Sequence, residues 1–320
     1  MAEEVFKNIP ALKGIPVDEF MDTMGMFAAA LNMNCTDCHT GDSLNAWVNF
    51  AKDTPIKVTA RRMTLMVNGI NKNNFGGKQM VTCYTCHHGD QKAKSVPSLT
   101  IQYSAPFEDP NDPTFAPNGF PGAPTVDEVF ARYIEAVGGA QKVAGLTGFT
   151  AKGTYQGYDT QHADTPIEIY AKAPAQRTSI IHAFFGDKVS VFDGKDGWYS
   201  SPDRPLPLIA LTGGNLEGAR LDAMVMFPSQ LKQMAKQWRV SIASIDDNDV
   251  VVVQGANGTL PPVNLYFDRS TGLLLRMTRF ADTIVGQVPT QLDFSDYRDV
   301  AGVKVPFRVI TTWTDNQTTT

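Results

Sequence analysis

The sequence predicts an α+β fold in two dissimilar parts: an all-α region over residues 1–90, then a curved antiparallel β-sheet of half-barrel type with helices over residues 125–320. Three observations carry this expectation. Two stretches, 17–31 and 56–70, place apolar residues at helical spacing. Short alternating runs dominate from Phe149 onward. Between them, over residues 91–124, Pro97, Pro106, Pro110, Pro113, Pro117, Pro121 and Pro124 mark a linker or an extended strap.

In the first stretch Val17, Phe20, Met21, Met24, Phe27, Ala28 and Leu31 form one face of an amphipathic helix. Pro16 suits its first turn, and Asp18 and Glu19 complement the helix dipole. In the second, Thr54 is the predicted cap, Pro55 suits the first turn, and Ile56, Ala60, Met63, Met66, Val67 and Ile70 trace the face. A loop leads from each helix to the same five-residue word, Cys35-Thr36-Asp37-Cys38-His39 and Cys83-Tyr84-Thr85-Cys86-His87. Together the words use all four cysteines.

Cys-x-x-Cys-His is the attachment signature of c-type haem. Thiols one helical turn apart both reach the vinyl edge of a porphyrin, and the histidine that follows reaches the iron. Zinc ribbons also pair two Cys-x-x-Cys knuckles, but at roughly 15 to 20 residues' separation, far less than the stretch from Cys38 to Cys83. Disulfide-dense scaffolds are small and would leave the histidine after each pair unexplained. The expectation is therefore two covalently bound haem c groups, with thioethers at Cys35, Cys38, Cys83 and Cys86 and with His39 and His87 as axial ligands.

Each iron then needs a second axial ligand or keeps an open position. Superposing Val17 on Ile56 sets Met21 on Ala60, Phe27 on Met66 and Leu31 on Ile70, and only Met24 and Met63 coincide as methionines. A methionine on an apolar helix face ordinarily fills core. The shared register instead marks Met24 and Met63 as distal sulfur ligands, with Met21 and Met66 in reserve. Met26 lies about 200° around the helix from Met24 and is expected to point elsewhere. Arg61 and Arg62 read as propionate contacts or as a solvated face. Trp47 reads as an ordinary core residue, and His88 as solvated or as a propionate neighbour.

Val5-Phe6-Lys7-Asn8, Ala60-Arg61-Arg62-Met63 and Val81-Thr82-Cys83-Tyr84-Thr85-Cys86-His87 resemble the cytochrome subunit of purple bacterial photosynthetic reaction centres over roughly residues 4 to 90. The resemblance implies the same ligand set, with thioethers at the four cysteines, proximal His39 and His87, and distal Met24 and Met63. The family's subunit carries two such pairs and four haems, so this chain reads as a half-size version joined to an unrelated second half. At position 88 it has His, where the family tends to have Arg.

Net charge is −5 at pH 7, which gives no basic footprint for nucleic acid. The longest apolar stretches, such as Met24 to Leu31, fall well short of the roughly 20 residues of a membrane span, so no transmembrane segment is expected. Met1-Ala2-Glu3-Glu4 is acidic and unlike a signal peptide. Haems of the c type are attached outside the bacterial cytoplasm. The expected location is thus periplasmic or extracellular, with the signal peptide absent from this chain.

In the second half, Thr125 with Glu128 makes a capping box, Val129, Phe130, Tyr133, Ile134 and Val137 give an apolar face, and Gly138-Gly139 ends the helix. Strands are expected at 167–171, 177–183, 189–192, 239–245, 250–254, 273–280 and 303–312, with turns at Asp193-Gly194, Asn257-Gly258 and Ser270-Thr271-Gly272. One helical interruption is expected from about Gly218 to Met234, broken near Pro228. The runs Asp193-Gly194-Lys195-Asp196-Gly197-Trp198, Tyr266-Phe267-Asp268-Arg269-Ser270-Thr271-Gly272-Leu273 and Phe294-Ser295-Asp296-Tyr297-Arg298 resemble the LolA and LolB type periplasmic carriers of lipoproteins. Such a sheet either holds an apolar ligand or, as small barrels usually do, packs its own side chains and serves for docking or self-assembly. His162 and His182 read as structural.

The functional expectation is an exported electron carrier, not an enzyme, with a redox protein donor and a redox protein acceptor as partners. The alternatives are a haem-based peroxidase or gas sensor with a displaceable methionine, and a carrier of a lipid or other hydrophobic ligand with accessory haems.

Overall fold

The computed structural model describes residues 1–97, 99, 109, 111–116, 119–204, 206–246, 248–314 and 318–319. The chain divides into two compact units. One comprises Met1–Pro106 with two later segments, Ala281–Val288 and Thr314–Asn316; the other comprises Phe107–Phe280, Pro289–Trp313 and Gln317–Thr320.

Up to residue 97 the regular structure is helical: α1 (Ala2–Val5), α2 (Val17–Leu31), α3 (Cys35–Cys38), α4 (Pro55–Asn74) and α5 (Cys83–His87), with 3-10 turns at Gly41–Leu44 and Trp47–Ala51. Pro16 is the N-cap of α2, and α2 ends where Asn32 turns left-handed at φ 53°, a conformation asparagine tolerates. Thr54 caps α4 by accepting the Lys57 amide at 3.2 Å. Ala2, Leu12, Ile15 and Phe20 form one small core, flanked by Phe6, Met24, Phe27 and Ile284. Phe6 stacks on Phe20 with ring centroids 4.3 Å apart.

The buried faces of both long helices overlap the predicted apolar stripes only in part, at Phe20 on α2 and Val67 on α4. Helix α2 buries Phe20, Thr23, Met26 and Ala30, while Met24 is half-buried and Met21 is 37% exposed. Met26 points into a second cluster with Ala281, Val285 and Val288. Helix α4 buries Thr64, Val67 and Asn71 and leaves Met63 37% and Met66 48% exposed. Protein covers one flank of each stripe only.

From residue 148 onward the expected single curved sheet is corrected to two antiparallel sheets. β1 (Gly148–Tyr155), β2 (Thr165–Lys172), β3 (Gln176–Ala183), β4 (Gly186–Phe192), β5 (Gly197–Ser200) and β6 (Leu208–Ala210) pair in sequence order. β7 (Gln237–Ile245), β8 (Asn248–Ala256), β9 (Val263–Asp268), β10 (Leu274–Thr283), β11 (Gly286–Val300), β12 (Val303–Trp313) and β13 (Thr318–Thr319) form the other, again in sequence order. The break falls at the helical interruption. That interruption begins earlier than expected, at Gly213, runs to Met224, and resumes as a 3-10 helix over Pro228–Met234. Gly194, Gly258 and Gly272 all have positive φ, as their turns require.

The helix over Val126–Ala136 begins with the expected capping box, in which the Thr125 amide donates to Glu128 Oε2 at 2.7 Å and the Glu128 amide to Thr125 Oγ1 at 3.3 Å. Its Val129, Phe130 and Tyr133 join Leu221, Leu231, Met234, Val251, Val253, Leu265 and Phe267 in the main core. Val250, Val252 and Tyr266, on alternate positions, form a separate cluster with Phe115. Strand β8 is thus covered on both faces, which explains four consecutive valines where a half-exposed strand would alternate. Much of the Pro-rich stretch 91–124 lies outside the described residues. Where it is described, Asn111 Oδ1 accepts from Thr278 Oγ1 at 2.7 Å and Phe115 lies under the Arg239 guanidinium, 3.9 Å from the ring centroid.

Candidate haem sites

Both words sit on single helical turns fixed by reciprocal caps. Asn34 Oδ1 accepts the amides of Thr36 at 2.9 Å and Asp37 at 3.2 Å, and Asp37 Oδ2 accepts the Asn34 amide at 2.8 Å. Before the second word Thr82 Oγ1 accepts the Thr85 amide at 3.3 Å, and Thr85 Oγ1 accepts the Thr82 amide at 3.0 Å. In each word the two cysteines therefore lie one turn apart on one helical face, the arrangement needed to hold a single porphyrin edge.

The words are tied to the methionine-bearing helices. Thr54, the cap of α4, donates its hydroxyl to the Cys38 carbonyl at 2.6 Å. Buried Asn71 of α4 donates to the Val81 carbonyl at 2.7 Å and accepts the amides of Met80 at 3.1 Å and Val81 at 3.0 Å. Helix α5 contacts both α2 and α4, and the Gly89 amide donates to the Ala30 carbonyl at 3.1 Å. Cys83 packs against the Met26 cluster. A cleft lined by Leu31, Met33, Asp37, Ile56, Gly89 and Asp90 adjoins both words.

Both word histidines are half-buried, and each has one ring nitrogen held by a backbone carbonyl. His39 Nδ1 lies 3.1 Å from the Phe50 carbonyl, and His87 Nδ1 lies 3.0 Å from the Asp90 carbonyl. A carbonyl only accepts, so Nδ1 carries the proton and Nε2 keeps its lone pair. This is the tautomer and ring restraint of a metal-ligating imidazole. Burial first, and the Lys57 cation second, push the His39 ring below the usual histidine range, which favours the neutral, ligating form. Burial pushes the Cys83 thiol up to about 11 and raises that of Cys38, where Asp37 adds to the effect.

Among the predicted propionate contacts, Arg61 is engaged: Nη1 pairs with Asp53 Oδ1 at 2.7 Å and Nη2 donates to the Asn8 carbonyl at 3.0 Å. Arg62 is exposed beside Met63. Trp47 is 45% exposed and lies 5.8 Å from Phe50, whose ring in turn tilts against His39 at 4.7 Å. His88 is an exposed left-handed C-cap, edge-on to Tyr84. His182 Nδ1 pairs with Asp187 at 2.9 Å. The residues present fit a covalently bound haem at each word: paired thiols on one turn, an oriented imidazole with Nε2 free of the carbonyl bond, and methionines on α2 and α4 that offer soft sulfur donors.

The caps and carbonyl partners are the functional features that motif reading missed. Asn34 and Thr82 were visible as capping residues directly ahead of each word. The Phe50 and Asp90 carbonyls had no residue-type signal.

No helix among the described residues is long and apolar enough to cross a membrane. Among solved structures, a LolA superfamily protein from Nitrosomonas europaea aligns with 62% of this chain and 90% of its own, at 16% identity and a TM-score of 0.39. The photosynthetic reaction center cytochrome c subunit of Thermochromatium tepidum is 33% identical over 97 residues, 29% of this chain and 23% of that protein. That of Rubrivivax gelatinosus is 33% identical over 100 residues, 30% and 25% of the respective chains. The chain thus spans about a quarter of the length of these curated relatives. Residues 1–108 match the family model of the photosynthetic reaction centre cytochrome C subunit.

Proposed function

We propose that this chain is an exported diheme c-type cytochrome that passes electrons between protein partners through two low-spin centres. His39 with Met24 and His87 with Met63 are the axial ligands, and Cys35, Cys38, Cys83 and Cys86 form the thioethers. The observation that carries this reading is the pair of Nδ1–H···O=C restraints, which leave Nε2 of each word histidine as a lone-pair donor. Met63, 37% exposed on α4, and half-buried Met24, at the edge of the Phe20 core on α2, support this choice of sulfur donors. Arg62 is the favoured propionate contact, since Arg61 is already committed to Asp53 and the Asn8 carbonyl.

A bound haem supplies a one-electron couple, and His–Met ligation raises its potential relative to two histidines. The chain's part is to keep both axial positions filled. The caps at Asn34 and Thr82 fix where the thiols and imidazoles sit, and buried Asn71 ties the second word to its methionine helix, so little rearrangement accompanies a change of charge.

The test is ligand access in the reduced holoprotein. Pyridine haemochrome analysis is expected to give two haems per chain, with carbon monoxide leaving the spectrum unchanged. Met24→Ala and Met63→Ala should each open one centre, so that carbon monoxide shifts about half of the haem absorbance. Rapid carbon monoxide binding by the unaltered protein would overturn the closed-site reading in favour of peroxide or gas chemistry.

A further inference from the structure

The two word histidines donate to carbonyls in opposite electrostatic settings. The Phe50 carbonyl that holds His39 also accepts the Lys57 ammonium at 2.6 Å, and the same Nζ donates to the Lys52 carbonyl at 2.6 Å. The Asp90 carbonyl that holds His87 belongs to a residue whose own carboxylate accepts the Lys92 amide at 3.0 Å and pairs with Lys94. One imidazole thus shares its acceptor with a half-buried cation, and the other lies beside a carboxylate whose counter-ion is the exposed Lys94.

The position of Lys57 runs against local preference. It is the third residue of α4, in the first turn, where a cation opposes the helix dipole. Its chain instead returns to two carbonyls at the C-terminal end of the Trp47–Ala51 turn. Thr54, which caps Lys57's own amide, is the residue that ties α4 to the Cys38 carbonyl. A residue that breaks a local rule while every partner around it is specified is where function is expected.

We propose that Lys57 is a positioning residue that sets the His39 centre at a higher reduction potential than the His87 centre. This rests on the reading of His39 and His87 as axial ligands. A carbonyl that already accepts a short charge-assisted bond is a poorer acceptor for His39 Nδ1–H, so that ring gives less electron density to a metal at Nε2. The ammonium charge also favours the added electron directly, in a partly buried setting where screening is weak. The Asp90 carboxylate acts in the opposite sense on His87. One electron held by the chain therefore rests at the His39 centre: iron at the His87 centre is oxidised by one electron, iron at the His39 centre is reduced by one, and no other reactant is needed.

Equilibrium redox titration of the holoprotein tests this. Two one-electron waves are expected, and Met24→His, which replaces a thioether by an imidazole, should lower the upper wave and so assign it to the His39 centre. Lys57→Met should lower the same wave by at least tenfold in the equilibrium constant, about 59 mV for one electron. The lower wave should stay in place, and Lys57→Arg should restore the upper one. Asp90→Asn, remote from Lys57 in sequence, should raise the lower wave alone. A hyperfine-shifted His39 Nδ1 proton resonance that moves in Lys57→Met gives a second readout independent of electron-transfer activity. The proposal fails if Lys57→Met moves neither wave, or moves the lower one. Failure of the ligation reading is distinguishable, since Met24→His and Met63→His would then leave both waves unmoved.

Discussion

At the residue scale, the two Cys-x-x-Cys-His words stand out in the sequence because the chemistry they suggest requires side chains of fixed type and spacing. Their support does not, because His39 and His87 are oriented by main-chain carbonyls of Phe50 and Asp90, and any residue type supplies a carbonyl. Asn71 is intermediate. It is polar and 4% exposed on a helix face that otherwise buries Thr64 and Val67, an anomaly that the three bonds to Met80 and Val81 resolve. Asn71→Ala is expected to cost about 1–3 kcal/mol by stranding those main-chain groups. Chemical denaturation of the holoprotein measures it, and a variant as stable as the parent would show that the loop into the second word is held by other means.

At the element scale, periodicity located α2 and α4 but did not say which flank the protein covers. Helical spacing set Met26 apart from Met24, but what covers Met26 is the later segment 281–288, which no local pattern reveals. Met26 is 6% exposed against Ala281, Val285 and Val288, and its methyl meets the Cβ position of Gly286, a residue at φ +148°. Met26→Ala should therefore cost about 2–5 kcal/mol as a core cavity, seen as a lower unfolding midpoint. The methionine–iron charge-transfer band should persist in that variant. Loss of the band there, with retention in Met24→Ala, would exchange the roles of the two residues. In the second unit the alternating strands declared themselves. The division into two sheets did not, because β5 and β6 are only four and three residues long and the helical segment after them removes the hairpin that would have joined β6 to β7.

At the scale of the whole molecule, the unit that carries both haem words is discontinuous in sequence. It draws Ala281–Val288 and Thr314–Asn316 from beyond residue 280, segments far in sequence from both words. Ile284 flanks the Phe20 core and also lies beside the Met26 cluster, and Val285, 1% exposed, lies within that cluster. A chain ended at residue 108 keeps every cysteine, both word histidines and both candidate methionines. It loses these aliphatic side chains, each contributing roughly 1.5–3 kcal/mol when fully buried. Against a typical net stability of about 5–15 kcal/mol, that loss is large. The truncated chain, matured with haem, is expected to unfold at a clearly lower temperature than the full chain and to recover in part when a peptide of residues 281–288 is supplied in excess. Equal midpoints for the two proteins, followed by haem absorbance, would show that the haem unit is self-sufficient and that the later segment only rests against it.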